Sequence, residues 1–389
     1  MVSTSTNKKH YIQEINIEDI HSLDANIISF IVNANKTRLN PTPYSDLYFL
    51  EAWTRSFQSQ SSTRYLFLIR NTKTNDICAI FPLLLEEKGN MLLYRPWGVM
   101  FGYPQPIISS TICDSHLQNL LSYLKAKHKR IVIDFGPSKI DWYSEIEFEK
   151  LYTQIPKFHA VLQIKRDAPF IDLNKGRIPA SQNLSQNIRT AQNRIKKDNK
   201  TFEFHFNVLD SAQRSNLLKT YESLHLNRWP KSNFNQSEYS EFHKRLFLHE
   251  NSTVISSLVI DSSISAIALG TIKLNTFFLF GICFNPSFTK YSPGILLLNE
   301  LTSSLKSKSI NTFDFMNDLE GYKTKWTSLV NVRYQYIFFS SFYDFIKFKW
   351  TLLKQKFYVK ILEFHFYLLK KSPFVDTLIK KIIFFRKRR

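Results

Sequence analysis

The stretch FDFMNDLEGYKTKW (313–326) sets a carboxylate, a phenol, an ammonium and an indole close together in Asp314, Tyr322, Lys323 and Trp326. Asp314 lies inside an apolar run that reads as a buried strand. A carboxyl placed there would have its pKa raised by desolvation and could act as a base or anchor a substrate. It could equally be a structural carboxylate bonded to backbone or to a nearby lysine. A second set lies in SLHLNRW (223–229), where His225 and Arg228 are three apart and share a helix face. Histidine is the usual general base near neutral pH, although a lone histidine among apolar neighbours also fits a structural role. Arg189, Arg194, Lys196 and Lys197 make the segment 183–199 basic, either to meet a phosphate or as a solvated charged face. The junction YSPGILL (291–297) carries an N-cap serine, Ser292, then Pro293 at a first helical position and Gly294, where backbone could approach a ligand closely. A helix starting this way can present N–H groups and the positive end of its dipole to an anion; it can also be an ordinary capped helix.

The elements that must position these residues follow from periodicity. In the second half, 183–199 is a helix with Leu184, Ile188, Ala191 and Ile195 on one face, and 201–208 alternates as a strand. Helices follow at 211–229 and 237–250, then three consecutive strands at 252–260, 264–274 and 277–284. A helix over 292–308, a strand over 311–316, a short helix or turn at Tyr322-Lys323 and a last strand over 332–339 complete the half. The first half holds a matching fragment: strands at 64–70, 77–87 and 91–96, a helix at 115–129 and a strand at 130–136. A loop broken by Gly and Pro spans 97–110. Residues 1–40 read as polar with a few apolar islands. Order repeated in this way predicts two copies of one unit, each a mixed sheet with helices on its faces.

Composition narrows the class. The 389 residues are 43% hydrophobic and 15% aromatic, which means a folded chain long enough for two or three cores. A net charge of +20 points to a polyanionic partner: nucleic acid, an anionic membrane surface or a phosphorylated substrate. Cys78, Cys113 and Cys283 are too few and too scattered for a disulfide framework, and they point to a reducing compartment. Cys283, on a predicted strand, suits buried packing better than nucleophilic work. With no apolar N-terminal core and no run of 18 apolar residues, a cytoplasmic protein is expected. HExxH, paired CxxC, GxxxxGK[ST] and GxGxxG motifs are all missing, and Gly totals nine. No metal site is therefore expected, and neither nucleotide hydrolysis nor dinucleotide binding is supported.

Three strands, a loop with glycine at a helix start, a helix and a strand resemble the core order of GNAT acyltransferases. The pairing of YSPGILL with FDFMNDLEGYKTKW is similar to the CelD-like branch, which is related to the Fem-type peptidyltransferases. Weaker matches are YSDLYFLEAW (44–53), AIFPLLL (79–85), SQNIRTAQNRI (185–195) and HLNRW (225–229). The Asn-Asp-Leu-Glu-Gly before Tyr322 departs from the shorter, Gly-rich element of such chains. The resemblance covers roughly 40–340 and implies an α/β (α+β) fold of tandem GNAT-like units, 1–165 and 166–340. It implies that central strands splay to admit acyl-coenzyme A, with its pyrophosphate on Ser292, Pro293, Gly294 and Ile295. Asp314 would border the splay as a base, with His225 as another base candidate. Tyr322 would be an acid for the leaving thiolate or core packing, and Trp326 packing. Lys323, with Arg228 and Arg189, would hold a substrate phosphate or carboxylate. The implied activity is N-acyl transfer to an amine on a sugar or envelope precursor. The alternatives are a ligase taking an aminoacyl group from tRNA, or an inert scaffold that binds membrane and partners.

From 341 to 389 there are 13 Lys plus Arg against 3 Asp plus Glu, so half of the excess charge lies in the tail. Residues 340–372 read as one helix with a basic stripe and a wide apolar face, broken at Pro373 before a shorter segment, 374–389. This pattern fits an interfacial helix on an anionic membrane. Packing on the body or on a second subunit, nucleic-acid binding and an aggregation-prone end are the competing readings.

Overall fold

The computed structural model describes residues 9–18, 20–37, 42–57, 62–98, 108, 114–138, 158–175, 182–248, 253–316 and 321–354. The first part of the chain runs β1 (His10–Asn16), α1 (Ala25–Thr37), α2 (Leu47–Ser56), β2 (Thr63–Asn71), β3 (Ile77–Lys88), β4 (Met91–Pro96), α3 (Asp114–Lys127), β5 (Ile131–Ser138) and β6 (Ala160–Asp172). The second runs α4 (Gln182–Lys197), β7 (Phe202–His205), α5 (Ser211–Arg228), α6 (Ser237–Phe247), β8 (Val254–Ile260), β9 (Ser263–Lys273), β10 (Thr276–Phe284), α7 (Pro293–Ser307), β11 (Thr312–Asp314) and β12 (Val330–Phe339). A last helix, α8, occupies 342–354.

Among the described residues, twelve strands make one sheet in the order β1-β2-β3-β4-β5-β12-β6-β11-β10-β9-β8-β7. The two halves repeat one plan. In each, a strand, two helices and three antiparallel strands lead through a crossover helix to a parallel strand, β4 to β5 by α3 and β10 to β11 by α7. Parallel neighbours need such a crossover, since a tight hairpin joins only antiparallel strands. The centre is exchanged. β5 of the first unit pairs with β12, β11 of the second pairs with β6, and β6 and β12 pair with each other from Ala160↔Phe339 to Pro169↔Val330. Each unit's sheet is thus continued by a strand from the other half of the chain. The expected boundary at 165/166 falls inside β6 and is corrected by that pairing, because β6 is a central strand of one continuous sheet.

Alternation along the strands divides the core. On β2, Leu66 and Leu68 join one cluster, while Phe67 and Ile69 join another on the opposite face. The first cluster collects α1, α2, α5 and α6 residues from both units, including Ile31, Trp53, Leu218 and Phe242. On the other face α3 covers the first unit, and α4 with α7 covers the second. The expected helix face Leu184, Ile188, Ala191 and Ile195 is buried throughout.

Asp314 ends β11, and nine-tenths or more of it is hidden. Its Oδ2 accepts from Arg333 Nη2 on β12 at 2.7 Å, and its Oδ1 accepts from the Met316 N–H at 2.8 Å. Met316 holds a left-handed φ of 65°, which the Asp314 bond to its N–H supports. The carboxylate therefore joins two strands that are not neighbours and turns the chain out of the sheet. Each oxygen is engaged by one of these donors, which fits the structural alternative better than a base at the splay.

α8 is amphipathic in a specific way. Phe345 and Phe348 pack on Phe339, and Asp344 accepts two bonds from Arg130, at 2.8 and 2.6 Å. Those bonds hold the Asp344 carboxyl below its usual range. One face of the tail's first helix thus packs on the body, as one of the competing readings expected. The remainder of 340–372, and 374–389, lie outside the described residues. No helix among the described residues is long and apolar enough to cross a membrane.

A buried ion pair that loses one partner leaves an uncompensated charge. Asp314→Ala should therefore lower unfolding free energy by about 3–5 kcal/mol, and Arg333→Met by a similar amount. The double variant should lose clearly less than the sum, as read from urea midpoints of the three proteins.

Candidate functional site

The site is built on α5, which is fixed at both ends. Asp210 caps it by accepting from the Gln213 N–H at 2.7 Å, and the Trp229 N–H closes it on the His225 carbonyl at 2.8 Å. Fully buried Arg214 ties the helix to its surroundings, donating to the Phe247 and Val208 carbonyls and to Thr253 Oγ1. Leu217, Leu218 and Leu224 face the core. The i, i+4 pair Tyr221 and His225 with Arg228 is then directed toward β10.

β10 and β11 pair only from Thr276↔Thr312 to Phe278↔Asp314. Beyond that point β10 runs on to Phe284 without a β11 partner. Its ladder with β9 also slips between Leu279 and Gly281, bulging out Phe280. The gap is a cavity of about 680 Å³. Its walls are β10, the start of α7, Tyr322 with Lys323, and the α5 residues Tyr221, His225 and Arg228. A second hollow of about 810 Å³ opens between α5, α6 and the turn at Ser232–Phe234. Tyr221, His225, Arg228 and Tyr239 line both, so His225 stands where two ligands could meet. Gly281 is required by closeness: a Cβ there would come within 2.1 Å of the Tyr221 hydroxyl.

The electrostatics are one-sided. Arg228, Lys323 and Lys325 line the 680 Å³ cavity, and no carboxylate among the described residues does. Burial first, and the Arg228 charge second, hold His225 below its ordinary 6.5, so the imidazole is neutral at pH 7. Its Nδ1 is buried and has no hydrogen-bond partner among the described residues. The ring packs on Trp229 and Phe234, and the Arg228 guanidinium lies over Trp229 and Phe284 at 4.4 and 4.9 Å from their centroids. Burial raises Tyr221 well above the usual phenol range and pushes the Cys283 thiol up to about 12, which leaves Cys283 a packing residue. Lys323 is only 5% exposed. Its ammonium lies 5.9 Å from the Tyr322 ring.

Comparison with known proteins meets this geometry. Residues 182–324 match the family model described as an acetyltransferase (GNAT) domain. This segment is a GNAT acyltransferase domain. No curated protein matches the chain. Among solved structures, it is similar to the C-terminal domain described as that of a lysylphosphatidylglycerol synthetase from Agrobacterium fabrum. That match has a TM-score of 0.51 and 10% identity, covering 82% of this chain and 93% of that one. FemX gives a TM-score of 0.50 and 12% identity over 83% of this chain and 96% of that one. A conserved protein from Bacteroides thetaiotaomicron gives 0.50 and 13%, covering 80% and 97%. The GNAT identity and a fold shared with a Fem-type protein are as the motifs implied.

The GNAT domain gathers His225, Arg228, Ser292, Pro293, Gly294, Ile295, Tyr322 and Lys323 around one cavity. Three expectations change. Asp314 is not on the lining. Arg189 is exposed on α4 and also off the lining, because that helix turns its apolar face to the core and its basic face outward. Ser292 adopts a left-handed conformation, with φ 49° and ψ 52°, and its side chain caps nothing. Pro293 has no N–H, and the Ile295 and Leu296 N–H groups donate to the Ser292 carbonyl at 3.0 and 3.2 Å. Gly294 alone in that turn keeps an N–H without an acceptor among the described residues. Trp326 is packing, 2% exposed in the core of the domain. Tyr221, Tyr239, His243 and Gly281 belong to the walls and were not anticipated. Tyr221, four residues before His225 on one helix face, had a readable signal.

His243 on this wall is buried, and its Nδ1–H donates to the Tyr239 carbonyl at 2.9 Å. Burial takes its pKa from 6.5 to about 4. Between those values the unfolded chain binds more protons than the folded one. Stability is therefore full above pH 6.5 and falls as pH drops through the window, by roughly 3 kcal/mol at completion. Urea midpoints of the wild type should drop between pH 7 and pH 4.5 by more than those of His243→Gln.

Proposed function

We propose that this protein is an N-acyltransferase that carries an acyl group from acyl-coenzyme A to an amine on a sugar or cell-envelope precursor. The observation that carries this reading is the splay between β10 and β11, with cations but no carboxylate on its walls and a neutral His225 where it meets the second hollow. An anionic, phosphate-bearing donor suits such walls. Arg228, Lys323 and Lys325 would hold its phosphates, with the Gly294 N–H at the helix start. The acceptor amine would enter from the α5–α6 side and lose a proton to His225 as its nitrogen bonds to the acyl carbon. The edge of β10 left unpaired beyond Phe278 would supply N–H groups to the developing oxyanion. The carbon–sulfur bond then breaks, and Tyr322 would return a proton to the thiolate.

Calorimetry with acetyl-coenzyme A, followed by acetylation of a panel of amino sugars, tests this. Saturable binding is expected. His225→Gln should lower kcat by on the order of 10²–10⁴ with little change in donor binding. The acid limb of kcat/KM should fall below pH 6.5, the direction of the His225 shift. Absence of acetyl-coenzyme A binding defeats the reading. A second donor is favoured by one observation: among the described residues α7 keeps a single N–H in its first turn without an acceptor, while α4 exposes Arg189, Lys196 and Lys197. Transfer from aminoacyl-tRNA without coenzyme A binding, weakening steeply with salt, would establish that donor instead.

The acceptor's location is proposed from α8. Its outer face exposes Phe342, Tyr343, Ile346, Trp350 and Leu353, beside Lys347, Lys349 and Lys354. Charge complementarity with a tail of net +10 commits this face to an anionic bilayer. The protein should sediment with phosphatidylglycerol vesicles at low salt and not with phosphatidylcholine ones. Ile346→Ala with Trp350→Ala should weaken that binding severalfold without changing transfer to a soluble amine. Equal binding by this double variant would remove α8 from the membrane contact.

A further inference from the structure

The first unit holds a cluster that acyl transfer does not use. His10 opens β1, Cys78 lies at the start of β3 and His116 sits in the first turn of α3. One donor atom from each lies within 4.8 Å of the other two. They come from three distant parts of the sequence, so no spacing motif marks them.

The fold brings them together for identifiable reasons. β1 and β3 flank β2, and the ladder between β2 and β3 slips at this point: Ile69 faces Ala79, Arg70 faces Ile77, and Cys78 is left over as a bulge. A bulge re-aims the side chain of its extra residue. α3 crosses over β1 and β2 and lowers His116 onto the same spot. His116 is 4% exposed, and its buried Nδ1 has no hydrogen-bond partner among the described residues. An imidazole nitrogen hidden without a partner is costly unless something else meets it. The two imidazoles stand edge to face, with ring centroids 5.6 Å apart.

We propose that His10, Cys78 and His116 form a zinc(II) site that ties the edge strand β1 and the bulge of β3 to α3. Two imidazoles and a thiol, with no carboxylate, are the donor set of zinc rather than of magnesium or calcium. Three protein ligands leave one tetrahedral position for water. With Zn–N about 2.0–2.1 Å and Zn–S about 2.3 Å, the donors need close by only roughly an ångström. Cys78 Sγ sits 3.8 Å from the Asp76 carbonyl as a weak donor. On binding, the thiol gives its proton to solvent and the thiolate takes the metal, so affinity should fall as pH drops. Lys9 beside His10 opposes the cation and weakens the site.

The test uses the full chain, stripped with chelator and titrated with zinc chloride and, separately, cobalt chloride. One metal per chain is expected, with a higher Tm for the zinc form. The cobalt form should show tetrahedral visible bands and a thiolate-to-cobalt charge-transfer band. Cys78→Ser should abolish that charge-transfer band, which excludes Cys113 and Cys283 as its source. Cys78→Ser and His10→Gln should each weaken zinc by about 100-fold or more, beyond what loss of an outer-shell partner costs. Tm values of the stripped variants close to that of the stripped wild type would show that they fold. No stoichiometric zinc binding, or zinc affinity unchanged in both folded variants, would overturn the site.

Discussion

The buried pair of Arg333 with Asp314 is the constraint on which the working half depends. The cavity opens where one central strand, β11, stops while its parallel neighbour β10 runs on. β11 stops after three residues because Asp314 turns the chain, bonding the Met316 N–H while Arg333 fixes its other oxygen from β12. Losing either member of a buried pair leaves an uncompensated charge, so the Asp314–Arg333 bond fixes where this strand ends. Phe315 and Met316 then leave the sheet and become part of the cavity wall. An acid that looks catalytic by its oddity in an apolar strand instead makes the opening possible.

With that acid engaged elsewhere, the titratable groups on the cavity wall are neutral or positive. His225 stays neutral through burial, Tyr221 stays protonated for the same reason, and the charged residues on the walls are cations. Desolvation thus does the tuning that a neighbouring carboxylate does in other acid–base sites. It also links the His225 shift to packing, because the rings of Trp229 and Phe234 help to bury the imidazole.

Much of the second unit was legible because its signals are local. The three strands before α7, the apolar face of α4 and the glycine at the start of α7 all follow from periodicity and turn chemistry. What escaped depends on distant partners. β6 carries Lys165, Arg166 and Asp167 in its middle and has Pro169 near its end, so it does not read as a central strand. It is one because β11 and β12 lie on either side. β1 reads as polar because it is an edge strand with alternating exposure. Asp314 could not be assigned while its cation lay 19 residues on, in a strand two places across the sheet. Whether Arg189 faces a ligand or solvent was left open because a helix shows its charge in sequence without showing which way that face points; in the fold it is exposed.

The exchange of β6 and β12 has a consequence for how the chain is made. Emerging from a ribosome N-terminal end first, the first unit would have β1 to β5 available early, yet the neighbour of β5 is β12, residues 330–339. Until that segment is released, β5 has an unpaired edge, and such edges invite association with other chains. That edge stays open while residues 139–329, about half of the chain, are added. The two units mature together at the end rather than one after the other, so crowding and chaperone supply bear on the yield of active protein more than they would for two units that each closed on themselves.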